Sequence, residues 1–207
     1  MKRRLVVLAA MTLAVPVQAQ FFGLPVADGA ASPAAGDVQA VAGMMMGDDF
    51  DAGGGRLLFA PVPRLLLFAD LGILNPDRGD WGPAFQGGAR FTLPFRDESP
   101  LDVALQAAGG LASCELDAGD LRMQAFNAGA LASRSVGIIT PYAFLGLCFT
   151  DAELDLKEKH KGKNSHNETD LAAAAGIRVR CGSQFSIYGE IAHVDELKLG
   201  AGAGWKF

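Results

Sequence analysis

The sequence predicts an all-β fold: a closed, antiparallel, up-and-down transmembrane β-barrel of ten strands, with eight strands as the alternative. Half of the 207 residues are apolar, yet beyond the N-terminus no run reaches the about 18 to 20 apolar residues that a membrane helix needs. From residue 37 onward, apolar side chains instead alternate with polar or small ones in short runs. Clusters of Gly, Pro, Asn and Asp separate these runs, which is typical of strands joined by turns.

The first residues have the composition of a secretory signal. Lys2, Arg3 and Arg4 precede an apolar run that ends in small residues at Ala19. We expect residues 1–19 to be a cleaved signal peptide, residues 20–36 a periplasmic linker and residues 37–207 the barrel. Losing three of the 18 basic residues leaves 15 against 23 acidic ones, so the net charge moves from −5 to −8. This acidic balance argues against a nucleic-acid partner, which would need a basic face.

Ten runs carry the alternation. The last is the clearest, because Leu197, Leu199, Trp205 and Phe207 share one face while Lys198 and the glycines share the other. An even number of strands is usual for a single-chain bacterial barrel. The runs lie near residues 38–46, 56–60, 65–74, 85–93, 101–108, 121–131, 142–150, 171–180, 185–192 and 197–207.

The apolar face is expected to point outward. Much of it is Ala and Gly, which would fill a protein core poorly, whereas lipid fills any contour. A Lys or Arg at the lipid midplane costs about 2 to 4 kcal/mol. Arg90, Arg178, Arg180 and Lys198 therefore belong in the lumen.

The register of the last three strands predicts a lumenal charge cluster. A three-residue turn at residues 182–184 sets Arg178 opposite Tyr188 and diagonal to Glu190. A turn at residues 194–196 then makes Glu190 diagonal to Lys198. We predict that Arg178, Glu190 and Lys198 form a cluster beside Tyr188, whereas plain solvated charges in a wet pore are the alternative.

The C-terminus carries a family resemblance. Gly202, Trp205 and Phe207 resemble the C-terminal assembly signal of Gram-negative outer-membrane β-barrel proteins. Together with the signal sequence and the strand pattern, they make the chain similar to the porin-like group that includes the OmpX, OmpW and OmpA barrels. The resemblance implies residence in the outer membrane, insertion by the barrel assembly machinery, and contact with lipid and lipopolysaccharide. We expect a monomer.

No catalytic residue, cofactor or metal ligand is predicted. Lys157, Lys159, Lys161 and Lys163 form a basic outer loop, which is either simply solvated or in contact with lipopolysaccharide or other polyanions. The three cysteines are odd in number and are expected to be free and buried. The predicted function is a structural or surface-interaction role. A narrow channel for small solutes and an envelope enzyme acting on lipid are the alternatives.

Overall fold

A computed structural model describes residues 29–47, 50–77, 79–94, 101–117, 119–156, 163–194 and 196–207. Over these residues the chain forms one antiparallel sheet. Its strands are β1 (Val38–Met46), β2 (Phe50–Val62), β3 (Leu65–Pro76), β4 (Gly79–Asp80), β5 (Gly82–Thr92), β6 (Asp102–Leu116), β7 (Gly119–Ser133), β8 (Ile139–Leu156), β9 (Lys163–Arg180), β10 (Phe185–Val194) and β11 (Glu196–Lys206).

The sheet closes into a barrel. β1 pairs with both β2 and β11, and β6 pairs with both β5 and β7, so the ring of ten long strands has no gap. β4 is a two-residue strand that pairs with the end of β6. The prediction of a ten-strand all-β barrel is confirmed. No helix in the described part of the chain is long and apolar enough to cross a membrane.

The two ends of the barrel differ. The start of β1 and the end of β11 lie at one end, which we call the terminal end, with the turn at residues 63–64. The opposite end, which we call the far end, carries the connections that follow β1, β3, β6, β8 and β10. The turn at residues 182–184 lies at the terminal end, and Gly182 there has a φ of 118°, in the region that favours glycine. This turn sets Tyr188 opposite Arg178, as the sequence predicted.

The predicted runs fall on the ten long strands, but several strands extend further toward the far end. β2 begins at Phe50, β6 continues to Leu116, β8 continues to Leu156, and β9 begins at Lys163. The sequence pattern predicts connections at residues 50–55 and 163–168, where the structure has strands. A strand needs only about 9 to 11 residues to cross a bilayer. β8 and β9, with 18 residues each, therefore rise well beyond it.

Candidate functional site

A charged network lies on the inner side of the wall formed by β2, β3 and β5. Arg56 of β2 and Asp70 of β3 are directly opposite each other and buried. Arg56 donates from Nε and Nη2 to the two carboxylate oxygens of Asp70 at 2.7 and 2.8 Å. Gln86 adds a third bond to Asp70 at 3.1 Å, and the Arg56 guanidinium lies 4.8 Å from the ring centre of Phe68. A bidentate pair of this kind fixes both side chains against the inner side of β2 and β3.

A second set of polar contacts connects side chains of β1, β8, β9 and β10. Tyr142 of β8 donates to Glu190 of β10 at 2.8 Å, and both side chains are buried. Arg178 donates from Nε to Ser186 at 3.0 Å and from Nη2 to Gln39 at 3.3 Å. These bonds link side chains of β1, β8, β9 and β10 on the inner side of the wall.

The predicted charge cluster has the expected facing and register. Arg178, Glu190 and Lys198 all lie on the inner side of the wall, and Lys198 is buried. Arg90 is also on the inner side and only 2% exposed. Direct contact among Arg178, Glu190 and Lys198 stays a prediction. Sequence reasoning did not identify Arg56, Asp70 or Tyr142 as members of the lumenal network.

The outer side of the wall is a belt of exposed apolar residues. Its aromatic members include Phe126 and Phe149, with ring centres 6.4 Å apart, and Phe185 and Trp205, 6.3 Å apart. Large exposed side chains occur around the ring on the outward strand positions, among them Leu57, Leu67, Leu71, Phe85, Phe91, Leu105, Leu111, Leu145, Leu147, Leu171, Ile177, Ile187, Ile191, Leu197 and Leu199. Lipid is the medium in which an apolar exterior around a polar interior is stable.

The chain is a closed transmembrane β-barrel. Within the described residues its ten long strands pair around the whole ring, so that backbone groups in the apolar belt bond to neighbouring strands and do not need water.

Tyr188 packs over a bare patch of the barrel's inner wall. Its hydroxyl donates to the Ala42 carbonyl at 3.2 Å. A Cβ added at Gly43 or Gly202 would collide with that hydroxyl, so both positions need glycine for the ring to lie where it does. Gly202 therefore has a packing role, in addition to its predicted place in the assembly signal. Of the other two signal residues, Trp205 faces outward and Phe207 is exposed at the terminal end.

The far end of the lumen is apolar. Met45, Phe50, Leu74, Met123 and Leu154 point inward there and are buried in one continuous apolar cluster. At the far end, beyond the belt, the barrel therefore has the pattern of a water-soluble barrel, with apolar side chains inside and polar ones outside.

An N-terminal segment occupies the lumen at the terminal end. The Gly29 carbonyl accepts a bond from Arg90 at 2.8 Å. Ala30, which is fully buried, donates to Ser133 at 2.7 Å and accepts from Thr92 at 3.0 Å. Residues 29–36 lie within the predicted linker, and these bonds place its last part against β5 and β7. Residues 20–28 lie outside the described residues.

An ion pair holds this segment at the start of β1. Lys206 of β11 donates to Asp37 at 2.8 Å, and this contact lowers the pKa of the Asp37 carboxyl. Because Lys206 is 42% exposed, we expect Asp37→Asn to cost at most about 1 kcal/mol of unfolding free energy. The cost should be complete above the ordinary Asp pKa of 3.8 and vanish as the pH falls through the lowered value. Urea unfolding at pH 3 and pH 7 measures it, and an equal cost at both would contradict the assignment.

Carboxylates line up on the outer surface at the far end. Asp80 pairs with Glu115, Glu115 with Asp120, and Asp120 with Asp155, so four exposed acids on β4, β6, β7 and β8 form one row. Within the described residues no group of three or more His, Cys, Asp or Glu side chains has the geometry to hold a metal ion.

The carboxylates of this row repel one another, because like charges directly opposite on neighbouring strands are unfavourable. Asp120→Asn should therefore raise the unfolding free energy by about 0.5 kcal/mol at low salt, with the gain shrinking as salt is added. The matched change Asp151→Asn lies outside the row and should give less. A larger gain from Asp151→Asn in urea unfolding would show that the row is not the cause.

The far-end part of β9 has a described partner strand on one side only, and we call its residues 163–169 the free edge. β9 pairs with β8 along its whole length to Lys163, but its pairing with β10 ends at Ala173. Residues 163–169 therefore have a described partner strand on one side only. They lie beyond Leu171, where the apolar belt ends on β9, and thus in water.

The backbone groups at this edge follow from the alternation of an antiparallel strand. The Arg180 N–H donates toward β8, to Ile138, whereas the Cys181 N–H donates toward β10, to Phe185. The β8 pairing runs without a register break, so odd-numbered residues direct their N–H away from β8. Asn167 and Thr169 therefore present hydrogen-bonding groups at the free edge.

The other predicted features have mixed outcomes. Residues 157–162, which include three of the basic-loop lysines, lie outside the described residues, and Lys163 begins β9. The cysteines are free as expected. Cys114 and Cys148 are buried, but Cys181 is exposed, because it lies in the turn rather than in the wall.

Comparisons with known proteins find no family and list solved structures of low sequence identity. No family model and no curated protein matches the chain. Among solved structures, the N-terminal barrel domain of Pseudomonas aeruginosa OprF has 13% identity over 84% of this chain and 100% of that chain, with a TM-score of 0.43. Neisserial surface protein A has 14% identity over 86% of this chain and 99% of that chain, with a TM-score of 0.41. Yersinia pestis Ail has 13% identity over 83% of this chain and 99% of that chain, with a TM-score of 0.43.

Proposed function

We propose that the protein is a closed, non-conducting outer-membrane barrel with a surface-interaction role. The free edge of β9, held in water on a sheet that rises above the apolar belt, is the observation that carries this proposal. An extended segment of an external partner adds to such an edge through main-chain hydrogen bonds. The terminal end then faces the periplasm, since the longer projections of these barrels are extracellular.

The side chains at the edge restrict which partner pairs with it. Asn167 and Thr169 face outward and are exposed, while Glu168 and Asp170 face inward. Polar and charged side chains prevent an edge from pairing indiscriminately with any exposed strand. We expect a partner segment in an extended conformation, because it must pair with a strand edge.

The filled lumen supports this role over that of a narrow channel. The buried Arg56–Asp70 pair lies on the inner side of β2 and β3, Met123 and Leu154 are buried on the inner side at the far end, and Ala30 is buried at the terminal end. In a planar bilayer, the folded protein is expected to give no steady conductance. A reproducible unitary conductance would favour the channel.

Several parts of the proposal rest on the sequence. These are cleavage after residue 19, insertion by the barrel assembly machinery through Gly202, Trp205 and Phe207, and a monomeric state. Lipid and lipopolysaccharide are the proposed neighbours of the wall. Where the belt ends, Gln124 and Asp151 replace Phe126 and Phe149 on the outward face, which suits a polar headgroup layer. No catalytic activity is proposed.

Proline substitution tests the edge. Asn167→Pro with Thr169→Pro removes two edge N–H groups and leaves the bonds to β8 in place. Asn167→Ala with Thr169→Ala removes the same side chains but keeps the N–H groups. Peptides selected from a random displayed library on the protein in nanodiscs should bind the wild type and the alanine variant, and lose about tenfold or more in affinity for the proline variant.

The same selection can also contradict strand addition. If no peptide is enriched at the far end, or if the enriched peptides bind the proline and alanine variants equally, strand addition is not the mode of interaction. Heat-modifiable migration of both variants in gels confirms that each barrel is folded before the comparison is made.

A further inference from the structure

We propose that the outer side of the wall, where the apolar belt meets the polar far end, binds a membrane lipid with an uncharged sugar headgroup. An open cavity of about 410 Å³ lies there on strands β6 to β9. Its described lining includes two aromatic and four polar side chains, namely Phe126, Phe149, Gln124, Asp151, Asn167 and Thr169. The volume is within the about 300 to 1,000 Å³ of small-molecule sites.

Two phenylalanine rings form the apolar half of this site. Phe126 and Phe149 are directly opposite each other on β7 and β8, with ring centres 6.4 Å apart and ring planes tilted by 32°. On the outer side, Phe126 is 49% and Phe149 44% exposed. Gly109, opposite Phe126 on β6, has no side chain to cover the ring from that side. A sugar ring presents a face of C–H groups with positive partial charge, which packs on the negative face of an aromatic ring.

Polar side chains form the other half of the site, one row further toward the far end. Gln124 of β7 is directly opposite Asp151 of β8, which is directly opposite Asn167 of β9, and all three are exposed. The structure shows no side-chain hydrogen bond or ion pair between any of them and another described residue. Two amides and a carboxylate offer the donors and acceptors that neighbouring sugar hydroxyls need. The Asp151 carboxylate accepts bonds from hydroxyl groups but repels a phosphate, so we expect an uncharged headgroup.

The spacing of the two rows fits a single sugar ring. Residues on one face of a strand are about 6.4 to 6.8 Å apart, and neighbouring strands are about 4.8 Å apart. A sugar that packs on Phe149 is therefore within reach of Asp151 on the same strand and of Asn167 on the next. Thr169, directly opposite Phe149 on β9, adds a hydroxyl beside the ring. The site thus offers an aromatic surface and hydrogen-bonding groups at the separation that one sugar spans.

The site is continuous with the apolar belt, which identifies its occupant as a lipid. Leu147 and Leu171 are directly opposite each other, one row from the rings toward the terminal end, and both are exposed on the outer side. The acyl chain of a glycolipid would lie on these side chains, whereas a free sugar would make no use of them. That the lipid belongs to the external leaflet rests on the proposed function. Binding itself needs only the wall and not the free edge of β9.

The test places the folded chain in phosphatidylcholine nanodiscs that contain equal amounts of monoglucosyl diacylglycerol and phosphatidylglycerol with the same acyl chains. Native mass spectrometry then counts the lipids that the released barrel retains. The wild type should retain one glycolipid in preference to phosphatidylglycerol. Phe149→Ala removes the aromatic surface and Asp151→Asn removes the charged acceptor, so each variant should retain the glycolipid about tenfold less.

Phe85→Ala and Asp120→Asn are the matched controls. Phe85 is an exposed aromatic residue on the outer side of β5, and Asp120 is an exposed acid on the outer side of β7. Neither is among the described lining residues, so both variants should retain the glycolipid as the wild type does. Heat-modifiable migration shows that each variant is folded before its lipids are counted.

A glycolipid preference that the wild type and the controls show and that Phe149→Ala or Asp151→Asn loses supports the site. Equal retention of the two lipids by the wild type overturns the proposal. So does undiminished retention of the glycolipid by both lining variants, or an equal loss in the lining variants and the controls. None of these variants alters a backbone N–H of the free edge, so a failure here is distinguishable from a failure of the surface-interaction role.

Discussion

Asp70→Ala is expected to lower the free energy of unfolding by about 3 to 5 kcal/mol, the largest effect of any single side chain in the lumen. The substitution leaves the Arg56 guanidinium in the lumen without its bidentate partner and removes the acceptor of Gln86. The loss of one partner of a buried ion pair costs far more than the pair contributes, because the remaining charge stays desolvated. Urea unfolding from lipid vesicles measures the change.

Two further variants separate this mechanism from general damage. Arg56→Ala with Asp70→Ala should be less destabilised than the sum of the two single changes, since neither charge is then left alone. Asp151→Ala removes an exposed carboxylate from the outer face of β8 and should cost no more than about 0.5 kcal/mol. Additive costs for Arg56 and Asp70 would show that the pair is not coupled.

Gly202→Ala is expected to cost about 1 to 3 kcal/mol or more, although it adds only one methyl group. Its Cβ would collide with the hydroxyl of Tyr188 and with the Ala42 carbonyl, which is backbone and cannot move aside cheaply. The Tyr188 side chain would have to leave its bond to Ala42. Unfolding free energy and the yield of heat-modifiable barrel should both fall.

Gly189→Ala is the matched control. Gly189 lies on the neighbouring strand β10, and the nearest heavy atom to an added Cβ is the Gly200 carbonyl oxygen at 3.9 Å, an ordinary contact. The two substitutions change strand propensity equally, so the difference between them reports the packing of Tyr188. If Gly202→Ala is as stable as Gly189→Ala, Gly202 has no role in the packing of Tyr188.

The wall of the barrel could be predicted from the sequence because lipid imposes one simple rule on it. Wherever the outer face meets hydrocarbon, every second residue must be apolar, and a period of two then identifies strand, face and lumen together. The last hairpin illustrates this: the alternation through Leu197, Leu199 and Trp205 placed Lys198 inside, where the structure has it.

The Arg56–Asp70 pair could not be predicted in the same way. Counting back from the two-residue turn at Pro63 and Arg64 sets Arg56 opposite Leu71. A register shift between Phe59 and Val62 moves the pairing by one residue and brings Asp70 opposite instead. A one-residue slip exchanges the two faces of a strand, and the sequence carries no clear signal for such a shift.

The strand boundaries at the far end could not be predicted either, for a different reason. In the extensions of β7 and β8 the apolar residues, such as Met123 and Leu154, face inward, and the outward positions are Arg122, Gln124 and Asp151. A search for apolar outward positions therefore ends where the lipid ends. The same period of two continues with its polarity reversed, and the strand boundaries are missed by several residues.

The bonds of the N-terminal segment set an order for assembly. Ala30 and Ser133 are separated by 103 positions, and Arg90, which binds Gly29, belongs to β5. β5 and β7 both pair with β6, so these bonds require at least these three strands to be in place. The first residues of the described chain therefore reach their final positions only after partners that follow them by 61 to 103 positions have taken theirs.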